Sequence, residues 1–486
     1  MRTNRLKCAT LLKGVALLCG AGIAASSVPA AVAAGQGASL NKPNVIFILT
    51  DDLGYGDLGV MGHPYVESPN IDRLANEGLQ LEQAYTAAAW CSPSRAAFMN
   101  GVYPAREFNA NKWVLPADRP TLTSMLKEAG YATAHFGKWH MGHKKGAPPP
   151  ADYGIDENFG TQSTGAVWTD KEMKQKHHRE RTAARYVDLS IDFMTRKKNQ
   201  PFFINLWVHN THAVLKPTPE QKAVYKDLEV SIDDFEYPLQ REFLEFIAKH
   251  GNVQKAMRAY CADVTAVDKE IGRLLDSLAE LGLEENTIVI FTSDNGPAPV
   301  LKIGDWDQIV PRFKKDPALM NCVGSAGPYR DRKFALHDGG IHVPFFIRWP
   351  AKIKPGIDRD TLFCGVDLMP TLAELVGVAA PDDIDGEDLS AAWLGTPQVR
   401  EKTLLWSDNS RWLALRDRQW KAHLQGDTVR LYNLNEDLSE SNDLAGAYPE
   451  VAGKYFKTLK QWEISIYPKG ASESKAGGKK KKNLNH

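Results

Sequence analysis

Three continuous apolar runs constrain the fold of this chain more than any other feature. They lie at residues 44–50, 201–208 and 287–293. None of them alternates polar with apolar residues, so each is typical of a strand buried on both faces, as in a parallel sheet. Amphipathic helical patterns separate the runs, and the longest extends from Met257 to Leu281 before Gly282. This order predicts an α/β fold with a large, mostly parallel sheet sandwiched by helices.

The chain of 486 residues is too long for one simple core, which favours one large and one small domain. After about residue 400 the pattern changes to short segments of alternating hydrophobicity, then to a helical pattern from about Pro449 to Trp462. We therefore predict the large α/β domain at residues 41–398 and a C-terminal α+β subdomain at 399–468, with a small antiparallel sheet and a helix. Residues 469–486 are rich in Lys, Gly and Ser, which predicts a disordered tail.

Residues 1–34 have the features of a secretory signal peptide. Positive side chains precede an apolar run at 15–25, and small residues follow up to Ala33 and Ala34, near which cleavage is predicted. The apolar run is too short to span a bilayer comfortably. We therefore expect an exported protein, periplasmic or secreted, without a membrane span after cleavage. The formal net charge of zero gives no support for nucleic-acid binding.

Few cysteines remain after the predicted cleavage, which argues against a disulfide scaffold. Of the 6 cysteines in the chain, Cys8 and Cys19 belong to the signal. Cys261 falls on the apolar face of the long helix and is expected in the core. A bridge between Cys322 and Cys364 is compatible with the sequence but does not follow from it.

Cys91 begins a segment, Cys-Ser-Pro-Ser-Arg, that combines a thiol with a helix-start signal. Ser92 is the predicted N-cap and Pro93 the first helical residue. A helix that begins here directs its positive dipole end toward Cys91, and Arg95 adds a charge one turn later, which is typical of an anion site. Such surroundings lower a thiol pKa, so Cys91 is a candidate reactive group. The alternative is a buried structural cysteine before an ordinary helix.

Polar residues follow the three apolar runs and a further predicted strand at 131–136. They are Asp51, Asp52, Lys138, His140, His209, His212, Asp294 and Asn295. The carboxyl ends of parallel strands meet at one edge of a sheet, so we expect these side chains to converge. Carboxylate and amide oxygens suit Ca²⁺ or Mg²⁺ and suit Zn²⁺ poorly. The cations Arg95, Lys138 and Lys333 are then candidates to hold a substrate anion beside the metal.

Each of these residues also has a purely structural interpretation. The Asp51-Asp52 and Asn295-Gly296 pairs suit turns, single lysines lie mostly at the surface, and single histidines are mostly structural. A soft thiolate would be a poor partner for a hard metal ion, which disfavours unmodified Cys91 as the working group.

Seven short segments carry a more specific pattern. They are 44–57 (NVIFILTDDLGYGD), 91–101 (CSPSRAAFMNG), 137–142 (GKWHMG), 293–296 (SDNG), 338–340 (DGG), 366–371 (VDLMPT) and 431–434 (LYNL). Together and in this order they resemble the type I, formylglycine-dependent sulfatases of the alkaline-phosphatase-like superfamily, over nearly the whole mature chain. The resemblance implies an enzyme, a sulfuric ester hydrolase, whose catalytic domain is the α/β domain predicted at 41–398.

The resemblance also implies a modification and a cofactor. Cys91 is expected to be converted to formylglycine (3-oxoalanine) by a maturation enzyme, and one Ca²⁺ is expected. The implied ligands of this ion are Asp51, Asp52, Asp294, Asn295 and the modified Cys91. The hydrated aldehyde carries two geminal hydroxyls, of which one attacks sulfur to give a sulfo-enzyme intermediate.

The resemblance implies a catalytic role for each of several basic residues. The sulfuryl oxygens would be stabilised by Arg95, Lys138 and Lys333. His212, with Lys333 as a second donor, would protonate the departing alcohol. His140 would take the proton of the second hydroxyl, so that sulfate leaves and the aldehyde returns.

Several positions depart from the family's pattern. Met99 stands where Leu or Thr is usual, Asp338 where Glu is usual, and His342 where Arg is usual. The proline that commonly precedes His212 is missing, and His209 lies close enough to compete for its role. The sequence leaves open which of these two histidines is the leaving-group acid.

The sequence thus predicts an exported sulfatase that acts on a sulfated carbohydrate. Tryptophans that are candidates to stack on sugar rings are Trp90, Trp113, Trp168 and Trp306. His143, His209 and Trp90 are further candidates for substrate contacts, and a polar and aromatic insertion at 217–250 is expected to shape the cleft. The first alternative is a phosphodiesterase or phosphonate monoester hydrolase of the same superfamily. The second is a catalytically silent relative that binds sulfated glycans.

Overall fold

The computed structural model describes residues 42–107, 114–142, 147–161, 181–212, 215, 217–299, 323–408 and 410–467. Outside these residues lie the predicted signal peptide, the Lys-rich tail, His143, Trp113, Trp168, Trp306 and Cys322. In the part of the chain that is described, every helix is too short or too polar to cross a membrane.

The described strands form three sheets. In chain order they are β1 (Asn44–Thr50), β2 (Leu79–Leu81), β3 (Ala84–Tyr85), β4 (Ala132–Lys138), β5 (Glu157–Thr161), β6 (Phe202–Trp207), β7 (Thr287–Ser293), β8 (Phe345–Arg348), β9 (Gly356–Asp358), β10 (Phe363–Cys364), β11 (Leu404–Ser407), β12 (Trp412–Asp417), β13 (Trp420–Gln425) and β14 (Thr428–Asn433). The large sheet has the order β5-β4-β6-β1-β7-β8-β2-β9, β10 pairs with β3, and the third sheet has the order β11-β12-β13-β14.

The large sheet is mostly parallel, as predicted. From β5 to β7 all neighbouring strands are parallel, and Val45 of β1 lies opposite Phe203 on one side and Ile288 on the other. The edge beyond β7 reverses direction, because β8 runs antiparallel to β7 and β2 antiparallel to β8. Strand β8 begins directly after Pro344, a residue without the N–H that a strand ladder needs.

Helices cover both faces of this sheet. In chain order the described α-helices are α1 (Pro69–Asn76), α2 (Cys91–Asn100), α3 (Pro104–Glu107), α4 (Leu122–Glu128), α5 (Thr182–Lys197), α6 (Pro219–Ala223), α7 (Pro238–His250), α8 (Val253–Glu280), α9 (Asp338–Ile341), α10 (Leu368–Val376), α11 (Ser390–Trp393) and α12 (Pro449–Ile466). Residues of α1, α5, α7 and α8 share one core with Ile46 and Ile48 of β1. Residues of α2, α4, α10 and α11 share the other core with Phe47 and Leu49. Alternate residues of one strand therefore serve two cores, which explains why the run is apolar throughout.

A third core lies between the four-stranded antiparallel sheet and α12, in agreement with the predicted small antiparallel sheet and helix. This sheet joins the rest of the chain through Trp406, whose Nε1 donates to the carbonyl oxygen of Thr86 at 2.8 Å. Helix α12 continues past Trp462, its predicted end, to Ile466.

The segment at 217–250 is more regular than its sequence indicates, because it contains α6 and α7. Pro238 occupies the first turn of α7, where its missing N–H is not needed. Gln240, Leu244 and Ile247 are buried along one side of the helix. A glutamine within the buried face interrupts the apolar spacing, and this is why the pattern did not predict the helix.

The described cysteines are free and buried. Cys261 is fully buried in the core beneath α8, as predicted. Cys364 ends β10 as a free thiol, and its candidate partner Cys322 lies outside the described residues.

Candidate active site

The strands β4, β6, β1 and β7 are neighbours and run parallel, so their carboxyl ends share one edge of the sheet. The residues that end or follow these strands are Asp51 and Asp52 after β1, Lys138 and His140 at β4, His209 and His212 after β6, and Asp294 and Asn295 after β7. Cys91 and Arg95 come from the first turns of α2, and Lys333 comes from the segment before α9.

Three buried carboxylates form the centre of this edge, and each has a cationic partner. The pairs are Lys138 Nζ with Asp51 Oδ2 at 2.6 Å, Arg95 Nε with Asp294 Oδ2 at 2.8 Å, and Lys333 Nζ with Asp52 Oδ1. Arg95 also donates to the carbonyl oxygen of Lys138 at 2.9 Å, which fixes the direction of its guanidinium. The buried charges balance, as burial in a protein interior requires.

The three carboxylates differ in their ease of ionisation. Burial raises the pKa of Asp51, but the nearby cations, above all Lys138, outweigh burial and hold this pKa well below its usual range. Burial likewise raises the pKa of Asp52, but the charges of Lys333, His212 and Lys138 together outweigh burial and lower this pKa. Burial raises the pKa of Asp294 to about 7, against the charge of Arg95. The cluster thus contains two firmly ionised carboxylates and a third that titrates near neutral pH.

Oxygen atoms of this cluster fit a hard divalent cation. Asp51 Oδ1 and Asn295 Oδ1 are buried, and neither accepts a hydrogen bond from the described part of the chain. Ligand atoms of Asp51, Cys91 and Asp294 lie within 4.8 Å of one another. Buried carboxylate and amide oxygens that lack a protein donor are the atoms that Ca²⁺ or Mg²⁺ would coordinate.

Two of the predicted site residues have a left-handed backbone, which is uncommon outside glycine. The φ angle is 67° at Asp52 and 58° at His140. The Asp52 N–H donates to Asp294 Oδ1 at 3.3 Å, and Thr211 Oγ1 donates to the Asp52 carbonyl oxygen at 3.1 Å. The Ser92 hydroxyl donates to the carbonyl oxygen of His140. These bonds hold a conformation that costs about 1–2 kcal/mol per residue, and such strain is concentrated at functional sites.

Helix α2 begins at Cys91, earlier than predicted. Trp90 is the N-cap, with an extended backbone, and no described side chain caps the first turn. The prediction of Ser92 as N-cap is wrong, because its hydroxyl binds the carbonyl oxygen of His140 instead. Pro93 lies in the first turn, where its missing N–H is not needed. All residues of α2 are buried, so the positive helix end lies inside the protein at Cys91.

The Cys91 thiol lies between a histidine and a lysine. Its Sγ is 3.3 Å from Nδ1 of His140 and 4.0 Å from Nζ of Lys333. Burial raises the pKa of this thiol, and the opposing charges of Lys138 and Lys333 do not cancel the effect. The prediction of a lowered thiol pKa is therefore wrong, because loss of hydration outweighs the helix end and the cations. Unmodified Cys91 is a protonated thiol at neutral pH, not a nucleophilic thiolate.

Burial and neighbouring charges set the pKa values of His140 and His212. Burial lowers the pKa of His140 to about 2, and the charge of Lys138 adds to this effect. Burial also lowers the pKa of His212, although Asp51 and Asp52 favour its protonated form. A neutral His140 can accept a proton from a group at position 91.

His209 and His212 lie in different surroundings. His209 is 3% exposed, and its ring stacks on Tyr186 with the centroids 5.9 Å apart. The His212 side chain is 21% exposed, and its Nε2 lies 3.8 Å from Asp52 Oδ2. His212 therefore lies beside Asp52 of the carboxylate cluster. Trp90 packs in part against the third core.

Lys333 reaches the site from a loop that is tied to two other segments. Its N–H donates to the carbonyl oxygen of Pro297, after β7, at 3.1 Å. The N–H of Phe334 donates to the carbonyl oxygen of Ala89, just before α2, at 2.8 Å. These two hydrogen bonds attach the backbone of this loop to the segments that carry Asp294 and Cys91.

Two departures from the family pattern have structural partners. Asp338 accepts the hydroxyl of Tyr85 at 2.9 Å and pairs with Lys421 of β13. His342 Nε2 donates to the carbonyl oxygen of Glu82 at 2.6 Å. These contacts fix the segment before β8 to the segment 82–85 and to β13. Both residues therefore have a structural role.

Asp57 is a buried carboxylate near the site that sequence reasoning did not select. Its Oδ2 accepts the hydroxyl of Tyr260 at 2.6 Å and the N–H of Gly54 at 2.5 Å, and its Oδ1 accepts the N–H of Ser325 at 2.5 Å. Asp57 therefore ties the loop after β1 to α8 and to the segment before Lys333. Its position at the end of the motif 44–57 is the signal that would have found it.

Comparison with known proteins gives a consistent family. The family model described as Sulfatase matches residues 43–378, and the model described as N-sulphoglucosamine sulphohydrolase, C-terminal, matches residues 325–463. An N-acetylgalactosamine-6-O-sulfatase of Bacteroides thetaiotaomicron is 28% identical over 92% of this chain and 97% of that protein. The N-acetylgalactosamine-6-sulfatase of Canis lupus familiaris is 31% identical over 80% of this chain and 74% of that protein.

A solved structure supports the same conclusion. It comes from work on the metabolism of multiple glycosaminoglycans by Bacteroides thetaiotaomicron, and it is 26% identical to this chain. The two align with a TM-score of 0.69 over 87% of this chain and 100% of that one. The fold and the family models agree with the resemblance of the seven segments: this chain belongs to the sulfatase family, within the alkaline-phosphatase-like superfamily.

Proposed function

We propose that this protein is an exported sulfatase that hydrolyses O-sulfate esters of sulfated carbohydrates, with Cys91 as formylglycine and one Ca²⁺ as cofactor. The observation that carries the proposal is the position of Cys91 Sγ, 3.3 Å from the neutral imidazole of His140 and 4.0 Å from the Lys333 ammonium. A buried, protonated thiol is a poor nucleophile, whereas an oxygen group at this position has a proton acceptor and a cation within reach.

The residues that would hold Ca²⁺ are Asp51, Asp52, Asp294, Asn295 and the modified residue 91. Bound there, the ion supplies positive charge that favours ionisation of a hydroxyl and polarises a sulfate oxygen. Formylglycine hydrate supplies a hydroxyl as nucleophile and a second hydroxyl that allows sulfate to be expelled later.

The cations of the chain supply the binding of the sulfate group. Lys138 and Lys333 lie on two sides of the carboxylate cluster, and Arg95 is held in place by Asp294. Their charges favour an anion, and they stabilise the sulfuryl oxygens as negative charge moves toward the leaving group. Because their positions are fixed by buried partners, little reorganisation is needed when substrate binds.

His140 and His212 would carry out different proton transfers in the reaction. The thiol sulfur of Cys91 stands where a formylglycine hydroxyl oxygen would lie, so His140 would accept a proton at Nδ1. The His212 side chain is 21% exposed, and its Nε2 lies 3.8 Å from Asp52 Oδ2. We therefore assign to His212 the delivery of a proton to the departing sugar oxygen.

Sulfate release from sulfated saccharides tests this proposal. The panel begins with 6-O-sulfated N-acetylgalactosamine, the substrate that the names of two relatives indicate. We expect sulfate release by protein produced together with a maturation enzyme, and none by Cys91→Ala. Faster turnover of phosphate or phosphonate esters than of any sulfate ester would contradict the proposal, as would an active Cys91→Ala variant.

A further inference from the structure

A cavity of about 670 Å³ lies beside Lys333, between α7 and the segment 326–335. Lys333 forms part of its wall, and the Nζ of the same residue is 4.0 Å from Cys91 Sγ. Lys333 therefore connects the cavity wall to the position where a sulfate ester would react. Its volume is in the range of roughly 300–1,000 Å³ that is usual for small-molecule sites.

Phe334, next to Lys333, has two features that disfavour folding. Its side chain is 55% exposed, and its backbone is left-handed with a φ angle of 77°. An aromatic side chain that stays exposed to water contributes little burial energy to folding, and a left-handed backbone is uncommon for a bulky residue. The strain is held by the bond from the Phe334 N–H to Ala89 and by that from the Ala335 N–H to the Arg332 carbonyl oxygen at 3.0 Å. An exposed and strained aromatic residue at the edge of a cavity indicates a role in binding.

The wall formed by α7 and Arg332 contains aromatic side chains and a pair of polar side chains. The guanidinium of Arg332 lies over the ring of Phe243, 3.6 Å from its centroid, and donates to Gln240 Oε1 at 2.9 Å. Phe246, Tyr329 and Trp412 are further aromatic residues of the lining. The pair of Arg332 and Gln240 fixes this wall, and aromatic faces such as those of the lining pack against the apolar face of a sugar ring.

We propose that this cavity binds the pyranose ring on the leaving-group side of the sulfate ester, with Phe334 as the stacking surface that selects a saccharide. The inference rests on the proposed function, because it takes the position of the sulfate from Cys91. It adds a specificity-determining residue, Phe334, whose ring centroid lies 5.6 Å from Lys333 Nζ.

The test separates a binding role of the ring from a purely conformational role of the backbone. Phe334→Gly removes the ring and accepts the left-handed backbone without strain, whereas Phe334→Tyr keeps the ring. Tyr448→Ala is the matched control, since Tyr448 is an aromatic residue with 47% exposure that lies at the start of α12. Two quantities are measured: the Kd of a 6-O-sulfated N-acetylgalactosamine disaccharide by calorimetry, and its kcat/KM by sulfate release.

We expect Phe334→Gly to weaken disaccharide binding and to lower kcat/KM by about tenfold, mainly through KM, as loss of an aromatic stacking contact predicts. Phe334→Tyr and Tyr448→Ala should stay close to wild type. The Tm of Phe334→Gly should equal or exceed that of wild type, because glycine relieves the backbone strain.

Unchanged disaccharide binding in Phe334→Gly would overturn the inference, even if the enzyme releases sulfate. A loss of kcat with the same KM in both Phe334 variants would overturn it too, because the residue would then only position Lys333. Weaker binding in Phe334→Gly, combined with no sulfate release by wild type, would support the inference while contradicting the proposed chemistry.

Discussion

Asp51, Arg95 and Lys138 are charged side chains without solvent exposure, and Asp51 pairs with both of these cations. At the scale of single atoms the cluster is still incomplete, because Asp51 Oδ1 and Asn295 Oδ1 accept no hydrogen bond within the described chain. A bound cation would satisfy both oxygens. Metal binding and stability should therefore be linked at this site.

Ca²⁺ is expected to stabilise the folded protein, and Asp51→Asn to remove that effect. At 100 times its Kd, an ion that binds only the folded state adds about 2.7 kcal/mol to the free energy of unfolding. Urea unfolding in Ca²⁺ and in EDTA measures this difference. The control is Asp276→Asn, which changes an exposed carboxylate paired with Arg73. An equal response to Ca²⁺ in Asp51→Asn and wild type would contradict Asp51 as a ligand.

His212→Asn should lower sulfate release from sugar sulfates more than from activated aryl sulfates. A sugar oxygen needs a proton as it leaves, whereas a nitrophenolate does not, so loss of the acid lowers the sugar rate by about 10²–10⁴-fold. Rates on both substrates measure the ratio. His209→Asn is the matched control, because it removes a buried imidazole whose ring stacks on Tyr186. Equal losses on both substrates in His212→Asn would argue against the assignment.

At the scale of elements, Glu440 joins the antiparallel sheet to the loop that carries Lys333. Its carboxylate is fully buried and accepts the N–H of Asp338, at the start of α9, at 2.6 Å. It also pairs with Lys421 at 3.1 Å and His423 at 2.5 Å, both on β13. The C-terminal sheet thus contributes to the site by holding the segment between Lys333 and β8.

Glu440→Gln should destabilise the protein by about 3 kcal/mol, because it leaves the buried Lys421 with Asp338 as its main counter-charge. The change keeps the shape of the side chain, so the loss reports charge rather than packing. Urea unfolding is the measurement, and the exposed Glu436→Gln is the control. A loss in Glu440→Gln no larger than in the control would show that the pairing is unimportant for stability.

The sequence predicts the elements with simple periodicity and misses those that depend on side-chain partners. The bounds of β1 and β7 are predicted to the residue, because an apolar run buried on two faces needs no other information. Helix α7 is missed because the buried Gln240 bonds to the carbonyl oxygen of Val323, a partner that is distant in sequence. The N-cap of α2 is misassigned for the same reason, since Ser92 bonds to His140.

At the scale of the whole molecule, sheet order explains how much of the site could be predicted. Parallel strands deliver their carboxyl ends to one edge, so the convergence of Asp51, Lys138 and Asp294 follows from the strand assignments. The cavity beside Lys333 could not be predicted in this way. It brings Phe243 next to Arg332 through loops and a helix whose relative positions no local pattern encodes.

The sheet also places a titratable group in the core, which gives stability a pH dependence. His135 of β4 packs edge-to-face between Trp139 and Trp207, with centroids 5.1 and 5.0 Å away. Burial lowers its pKa to about 3, and the charge of Arg95 adds to this effect. The folded state therefore keeps this imidazole neutral below the usual pKa of about 6.5, while the unfolded chain takes up a proton.

Stability should fall in wild type as the pH decreases from 7 to 5, and the fall should be smaller in His135→Phe. The histidine contributes about 2 kcal/mol to this loss at pH 5, because only the unfolded state is protonated there. Urea unfolding at both pH values measures the difference between the two proteins. Parallel pH dependence in the variant and wild type would contradict a neutral, buried His135.

The chemical state of residue 91 tests the central claim most directly. We predict that the peptide containing this residue, taken from protein produced with a maturation enzyme, has the mass expected when –CH₂SH is replaced by –CHO, and that hydroxylamine captures it. Sulfatase activity should rise in proportion to the modified fraction. Full activity in a preparation whose mass spectrum shows only the unmodified cysteine would contradict formylglycine as the working group.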